Sequence, residues 1–196
     1  MEPTIDPTDQ LASIVSALCD TAARIDVDQL ANPTPWNGHS VHDVLDHLIV
    51  QGAAFTYLFA GMEPPELTAP PVYGRVPAAE LHESMHDLLG AVRSSGALDR
   101  SVETPYGRMP AATFARFVAV VALIHGWDLT VSTGAPFRVA RPVVDAVDAF
   151  ARIAITDDLR DGTTFRPATE PPVLGSALDR LAAFGGRTVR ALATAS

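Results

Sequence analysis

The segment from Pro110 to Gly134 is apolar on nearly every side, which leaves few folds open to the chain. Pro110 suits the first turn of a helix, and Gly134 suits the position just after its last turn. A helix that is apolar all round has to be covered by other elements on all sides. The sequence therefore predicts a central helix over 110–133, enclosed by the rest of the chain.

Helical periodicity runs through most of the remaining sequence. Apolar residues recur three and four positions apart, which predicts helices over 11–25, 40–60, 77–92, 142–155 and, interrupted at 185–186, 177–193. Ser40 followed by Asp43 is a capping pair that sets the start of the second helix. Two segments, 74–76 and 101–104, have the pattern of short extended pieces. We expect an all-α single domain, 1–196: an up-and-down four-helix bundle at about 8–135 and additional C-terminal helices at about 136–196.

The charge balance excludes several classes of partner. The chain has 14 Lys and Arg against 23 Asp and Glu, a net charge of −9, which disfavours binding to nucleic-acid phosphates or anionic membranes. Its single cysteine rules out an internal disulfide and a Cys-rich zinc site. The acidic, proline-broken start is unlike a signal peptide, and the longest apolar run, 117–124, is shorter than the roughly 20 residues of a membrane span. We expect a cytoplasmic protein that acts on a small molecule, with a homodimer as one possible assembly.

Four of the six histidines are expected to lie outside any site. The string His-Glu-x-x-His at 82–86 has the spacing of a zinc protease helix. However, His82 and His86 each follow an inward-facing position, and a solvated helix edge is the preferred interpretation. His39 and His42 flank the start of the second helix, where capping rather than packing sets the conformation. Both are therefore expected to face solvent.

His47 and His125 lie on enclosed helix faces and are the better candidates. His47 is on a second apolar face of its helix, with Asp43 one turn earlier as the carboxylate that could orient its ring. His125 is near the end of the central helix, with Asp128 one turn further on. A buried imidazole needs a partner or a ligand. We expect His47 and His125 to lie close together, and the spacing leaves structural and functional interpretations open.

Several strings together resemble a known family. They are TPWNGHSVHDVLDHL at 34–48, TPYGRMP at 104–110, IHGWDL at 124–129, LDRL at 178–181 and GR at 186–187. In order and spacing they are similar to the opening, turn, signature and tail of actinobacterial DinB-like proteins. These proteins are related to the N-terminal domain of mycothiol-dependent maleylpyruvate isomerase. The resemblance extends over about 8–190.

The resemblance implies a DinB-like four-helix bundle that holds a divalent metal, zinc or nickel, with three side chains, and that uses mycothiol. Two of the ligands correspond to His47 and His125. The third corresponds to position 121, where this sequence has Val121, so Asp128 is the remaining candidate for a third ligand. The opening string also departs from the family, with Trp36 in place of a cysteine and His39 in place of a tryptophan.

Three functions follow from these residues. The first is a metal-dependent isomerase or transferase linked to a thiol, with His47 and His125 as ligands, Asp128 as third ligand or orienting group, and Asp43 behind His47. The second is an enzyme that has lost the metal and uses His47, His125 and Asp128 for acid–base or orienting work on a small, largely apolar substrate. The third is a ligand-binding protein without catalysis. The valine at position 121 cannot ligate a metal, which counts against the first hypothesis and not against the other two.

Overall fold

A computed structural model describes residues 5–65, 75–104, 106–160, 162 and 165–189. This part of the chain is mostly helical, with six α-helices, two short 3₁₀ turns and one β-hairpin. The helices are α1 (Pro7–Ala22), α2 (Val41–Ala60), α3 (Ala78–Arg93), α4 (Ala111–Thr133), α5 (Arg141–Ala154) and α6 (Ala177–Phe184). The hairpin strands are β1 (Ser101–Thr104) and β2 (Gly107–Pro110), and the 3₁₀ turns are Val27–Gln29 and Asp157–Leu159. The predicted helical class is therefore confirmed.

The first four helices enclose the main core in an order that differs from the prediction. α1 packs on α3 and α4, and α2 packs on the same two helices. Consecutive helices α1 and α2 thus lie across the core from each other, as do α3 and α4. The expected up-and-down order, in which each helix packs on the next, is wrong in this respect. The linkers 23–40 and 94–110 give the chain enough length to cross the ends of the helices.

The directions of the helices follow from contacts near their ends. Arg116, early in α4, donates to the side chain of Gln10, early in α1, and Thr21 near the end of α1 donates to the Pro136 carbonyl just after α4. α1 and α4 are therefore parallel. α2 runs the other way, because Phe55 near its end stacks against Phe114 near the start of α4, with ring centroids 4.9 Å apart.

α4 is the central helix, as predicted. It contacts α1, α2, α5, α6 and both strands, and nearly all residues between Phe114 and Leu129 are buried. By length and composition α4 would be apolar enough to cross a membrane, but 78% of its most apolar window is buried inside this fold. That is the pattern of a core helix, and it explains why this helix is apolar on all sides.

The hairpin between α3 and α4 is only half predicted. The extended piece 101–104 is confirmed as β1, which pairs antiparallel with β2 from Ser101↔Pro110 to Thr104↔Gly107. The second strand is missed, because Pro110 favours the start of a helix and conceals the extended residues before it. Residues 75 and 76 of the other predicted piece are not in a strand, and residue 74 lies outside the described residues.

The last helix is shorter than predicted and ends at Phe184. Gly186 has a φ of +89°, and a Cβ at this position would lie 2.9 Å from the Arg166 carbonyl oxygen. Only glycine fits both conditions without strain. The chain therefore turns sharply here instead of continuing as a helix, and the turn directs Arg187 back into the core. Positions 190–193 of the predicted helix lie outside the described residues.

Candidate functional site

Three aromatic rings meet where the start of α2 faces the end of α4. The ring centroids of His47 and His125 are 5.0 Å apart, which confirms the expectation that these two histidines lie close together. The Trp36 ring lies 4.8 Å from His47 and 4.9 Å from His125. The three rings therefore form a nearly equilateral triangle in direct contact, and we call this group the aromatic triangle.

The aromatic triangle depends on the loop before α2. The Gln29 and Asn32 side chains donate to the Thr133 and Ser132 carbonyls at the end of α4, at 2.8 and 2.9 Å. These bonds attach the loop to α4 and so place Trp36 over both histidines. His39 stacks on Trp36 with ring centroids 3.8 Å apart and an angle of 8° between the planes.

A buried ion pair lies behind His125. Asp128 is fully buried and Arg187 is 6% exposed. The guanidinium donates to the carboxylate from Nε, at 3.0 Å, and from Nη2, at 2.9 Å. The His125 Nδ1 atom lies 3.1 Å from Asp128 Oδ2. Arg187, Asp128 and His125 thus form one hydrogen-bonded chain, which we call the buried polar chain.

The ionisation of Asp128 decides the tautomer of His125. Burial alone would raise the pKa of the Asp128 carboxyl, but the hydrogen bonds from His125 and Arg187, together with the positive charge of Arg187, outweigh burial and hold that pKa below its usual range. The carboxylate is therefore ionised and can only accept hydrogen bonds. His125 must then donate from Nδ1, because its partner has no proton to give. In the neutral ring this leaves Nε2 with a free lone pair.

Both histidines of the aromatic triangle are neutral at neutral pH. Burial lowers the pKa of His125, and the Arg187 charge also lowers it, against an opposing effect of Asp128. Burial lowers the pKa of His47 to about 3, and the positive charge of Arg187 acts in the same direction. With the Arg187–Asp128 pair balanced, the site carries no net charge, although the chain as a whole is acidic.

Sequence neighbours of His125 fix the end of α4. Trp127 donates its indole N–H to Asp179 on α6, at 2.8 Å. Gly126 lies against the Phe137 ring, whose Cε2 atom would be 2.6 Å from a Cβ at this position. A side chain at position 126 would therefore displace the ring. The string IHGWDL is thus a packing motif as well as the source of two polar site residues.

The predicted partner of His47 is engaged elsewhere. Asp43 is exposed, and its Oδ2 atom accepts from the Ser40 backbone N–H and hydroxyl, both at 2.7 Å. Among the described residues no hydrogen bond joins Asp43 to His47. The expectation that Asp43 orients His47 is therefore wrong in this structure, because the capping box at the helix start uses the carboxylate. The capping prediction itself is confirmed.

The four histidines that were predicted to lie outside the site divide into two groups. His82 and His86 are exposed on α3, with ring centroids 6.4 Å apart, so both lie outside the site as predicted. His42 is half-buried and pairs with Asp46 at 3.2 Å. His39 was expected to face solvent, but it is half-buried against Trp36. The expectation that both of these histidines face solvent is therefore wrong, because His42 pairs with Asp46 and the loop before α2 stacks His39 on Trp36.

The residues present do not fit a three-ligand metal centre. Within the described part of the chain, no group of three or more His, Cys, Asp or Glu side chains is placed to hold an ion. Asp128, the candidate for the missing ligand, is held by Arg187 and His125. A cation therefore already occupies the position beside the carboxylate that a metal would need.

Val121 separates two small cavities. The inner cavity lies among α1–α4 and is lined mostly by apolar side chains, together with His47 and Gln51. The outer cavity is lined by His125, Arg187, Ile124 and Phe165. Val121 lines both. The two histidines were expected to face one cavity, but each lines its own, on either side of this valine.

Arg187 and Trp36 are site residues that the sequence does not assign to the site. Arg187 is visible only as part of the string GR at 186–187, and it lies 59 positions from Asp128. A buried carboxylate without a metal calls for a cation, which is the indication that could have suggested an arginine. From the sequence, Trp36 is recognisable only as a departure from the cysteine that the resemblance implies.

Comparison with known proteins agrees with the motifs. The chain matches the family described as "Mycothiol maleylpyruvate isomerase N-terminal domain" over residues 11–130. Two uncharacterized proteins, from two strains of Mycobacterium tuberculosis, are each 27% identical over 170 residues, which is 86% of this chain and 90% of each relative. No solved structure matches the chain with significance. The matched range includes Trp36, His47, Val121, His125 and Asp128, and the chain therefore belongs to the mycothiol maleylpyruvate isomerase N-terminal domain family.

Proposed function

We propose that this protein binds a small molecule and carries out acid–base chemistry on it with His125 and Asp128, without a three-ligand metal centre. The buried polar chain is the observation that carries the proposal. It fixes the His125 tautomer with Nε2 as a proton acceptor, and His125 lines the outer cavity. A positioned imidazole is the commonest general base in enzymes.

The proposed roles follow from the charges. His125 Nε2 would take a proton from the bound molecule and become an imidazolium. Asp128 would stabilise that imidazolium through the hydrogen bond to Nδ1–H. Arg187 keeps Asp128 ionised and in place, at the cost of weakening the attraction between Asp128 and the protonated ring. His47 stays neutral, contacts His125 directly and limits water access from the side of α2.

His125→Asn is the variant that tests this role. The asparagine amide nitrogen takes roughly the place of Nδ1 and preserves a donor to Asp128, while the acceptor at Nε2 is lost. His82→Asn is the matched control, because His82 is an exposed histidine on α3. Chelator-treated protein is incubated with a small-molecule extract, and the compounds consumed are measured by mass spectrometry.

We expect the parent and His82→Asn to consume the same compounds and His125→Asn to lose at least about a hundredfold in rate, the size of a general-base contribution. Equal rates for the parent and His125→Asn contradict the proposal. Consumption that starts only when zinc or nickel is added supports the metal-dependent alternative instead.

A thiol-linked isomerase or transferase is the second candidate, and family membership favours it. Mycothiol would be the cosubstrate, and His125 Nε2 is an acceptor of the kind that an S–H donor needs. The chelator-treated protein is assayed with and without added mycothiol. A reaction that requires the thiol and is lost in His125→Asn supports this candidate.

A further inference from the structure

The two cavities differ in chemistry and meet at one side chain. Leu11, Phe55, Met85 and Val118 line the inner cavity, and His125 and Arg187 are among the residues that line the outer cavity. Each cavity has a volume of about 20 Å³, which is space for about one water-sized group without movement of the walls. A molecule that reaches both cavities therefore has to pass Val121 and has to be short.

The outer cavity can satisfy one neutral polar group. His125 Nε2 can accept a hydrogen bond. Arg187 uses Nε and one N–H of Nη2 for Asp128, which leaves Nη1 as the guanidinium nitrogen without a partner among the described contacts. A hydroxyl or thiol donates one hydrogen bond and accepts another, so it matches this pair of atoms. A carboxylate also accepts from Arg187, but it gives His125 Nε2 no proton.

Charge disfavours an ionised ligand at this position. The Arg187 charge is already balanced by Asp128, and bringing a second anion to the buried guanidinium adds repulsion from that carboxylate. The desolvation cost of the anion is then not offset by a free counter-charge. A neutral polar group has no such cost once both of its hydrogen bonds are made.

We propose that the site takes a short amphipathic molecule, with a hydroxyl or thiol between His125 and Arg187 and an apolar chain that passes Val121 into the inner cavity. This inference rests on the proposed function and names its class of substrate. It makes Val121 the residue that sets the length of the apolar chain. The departure from the family at position 121 thus has a use, because an acidic side chain there would place a charge at the entrance to the apolar cavity.

Straight-chain alcohols from ethanol to hexanol are the probes, with the matching carboxylates as charged analogues. Binding is followed by the fluorescence of Trp36, which contacts both histidines, and by the His125 side-chain NMR signals. We expect affinity to rise about fourfold per methylene over the first one or two added methylenes, which fill the inner cavity, and to fall for longer chains. The carboxylates are expected to bind at least tenfold more weakly than the alcohols of equal length.

Position 121 variants test the assigned role. Val121→Ala is expected to move the optimum to a longer alcohol, and Val121→Ile to a shorter one, because the entrance widens and narrows. Ile153→Ala is the control, since Ile153 is 81% exposed on α5, and it should leave the series unchanged. Urea melts identify any variant that fails to fold, and the two opposite substitutions leave one usable if the other does not.

The results separate this inference from the proposed function. A chain-length optimum that is the same in all position 121 variants overturns the inference, and so does tighter binding of the carboxylates. If that happens while His125→Asn still loses the reaction, only the substrate class is wrong. If the optimum shifts as expected but His125→Asn reacts like the parent, the proposed function fails and the cavity assignment stands.

Discussion

Val121→Glu would supply the third metal ligand that the family resemblance implies at position 121. Val121 is half-buried on α4, one turn before His125, and it lines cavities that contain His47 on one side and His125 on the other. Residues four apart lie on the same helix face. The new carboxylate would therefore join two imidazoles whose ring centroids are 5.0 Å apart, in an arrangement of three ligands that suits zinc or nickel.

The magnitude without metal depends on how well the carboxylate is satisfied. A polar group placed in an apolar site without full compensation costs about 1–3 kcal/mol in protein substitutions. Arg187 lines the same outer cavity, but its charge is already balanced by Asp128, so we expect the upper half of that range. The apo variant should then melt about 4–12 °C below the parent, at roughly 2–4 °C per kcal/mol for a chain of this size.

Metal should reverse this loss in the variant. A ligand at one hundred times its dissociation constant stabilises the folded state by about 2.7 kcal/mol, which corresponds to an increase in Tm of about 5–11 °C. The assay is a thermal melt of untagged protein with zinc, with nickel and with a chelator. Val121→Gln is the matched control, because it has nearly the same size but no carboxylate charge.

The surface histidines have to be removed for the assay to be clear. The pair His82 and His86, four apart on α3, can bind zinc by itself, so all proteins carry glutamine at both positions. We expect no more than a small effect of metal on the parent and on Val121→Gln. Equal responses of the parent and Val121→Glu refute the reasoning, since either Asp128 already completes a site or the histidines do not converge on an ion.

Three further predictions concern stability. The folded-state pKa of His47 is depressed to about 3, so the unfolded chain binds more protons than the folded chain between pH 6.5 and pH 3. The unfolding free energy should therefore fall from pH 6.5 towards pH 3 by up to about 1.4 kcal/mol per pH unit for this histidine. Urea melts of His47→Gln should show a flatter dependence on pH, and an unchanged slope would contradict the assignment. Asp128→Asn and Arg187→Met should each lower the unfolding free energy by about 3–5 kcal/mol, because each leaves one buried partner uncompensated. In a double-mutant cycle the double variant should lose clearly less than the sum of the two, whereas simple additivity would mean that the pair does not interact. Gly126→Ala should destabilise by about 1–3 kcal/mol through overpacking, while Gly90→Ala on α3, where an added Cβ meets nothing within 4 Å, should stabilise by about 0.4–1 kcal/mol; equal Tm shifts would show that the close contact at position 126 is absent.

Local physics made much of the helical framework predictable. The apolar circumference of α4, the capping pair Ser40–Asp43 and the glycine after Thr133 each act over one or two turns, and each is found where the pattern placed it. β2 and the end of α6 were missed. In both cases a glycine with positive φ reverses the chain. Gly107 begins β2, where Pro110 makes the extended residues resemble the start of a helix. Gly186 turns the chain against Arg166, which is distant in sequence.

The order in which the helices pack cannot be predicted from the apolar periodicity of each helix. A helix with an apolar stripe can pack on any other, so α1 beside α3 and α4 satisfies the same pattern as α1 beside α2. The observed order differs in placing α2 on α4, and specific contacts between these two helices accompany it. Among them are Phe55 against Phe114, with ring centroids 4.9 Å apart, and His47 against His125.

The candidate site shows why a residue's neighbours in sequence are a poor guide to its role. Asp43 is one turn from His47 and Asp128 is one turn from His125, so spacing treats the two carboxylates alike. Ser40 donates to Asp43, because a helix start leaves backbone donors unsatisfied. Arg187, 59 positions from Asp128, donates to that carboxylate because the chain turns inward at Gly185 and Gly186. The same local pattern thus gives a cap in one place and a buried, oriented histidine in the other, and the difference lies in which strong donor each carboxylate meets in the folded chain.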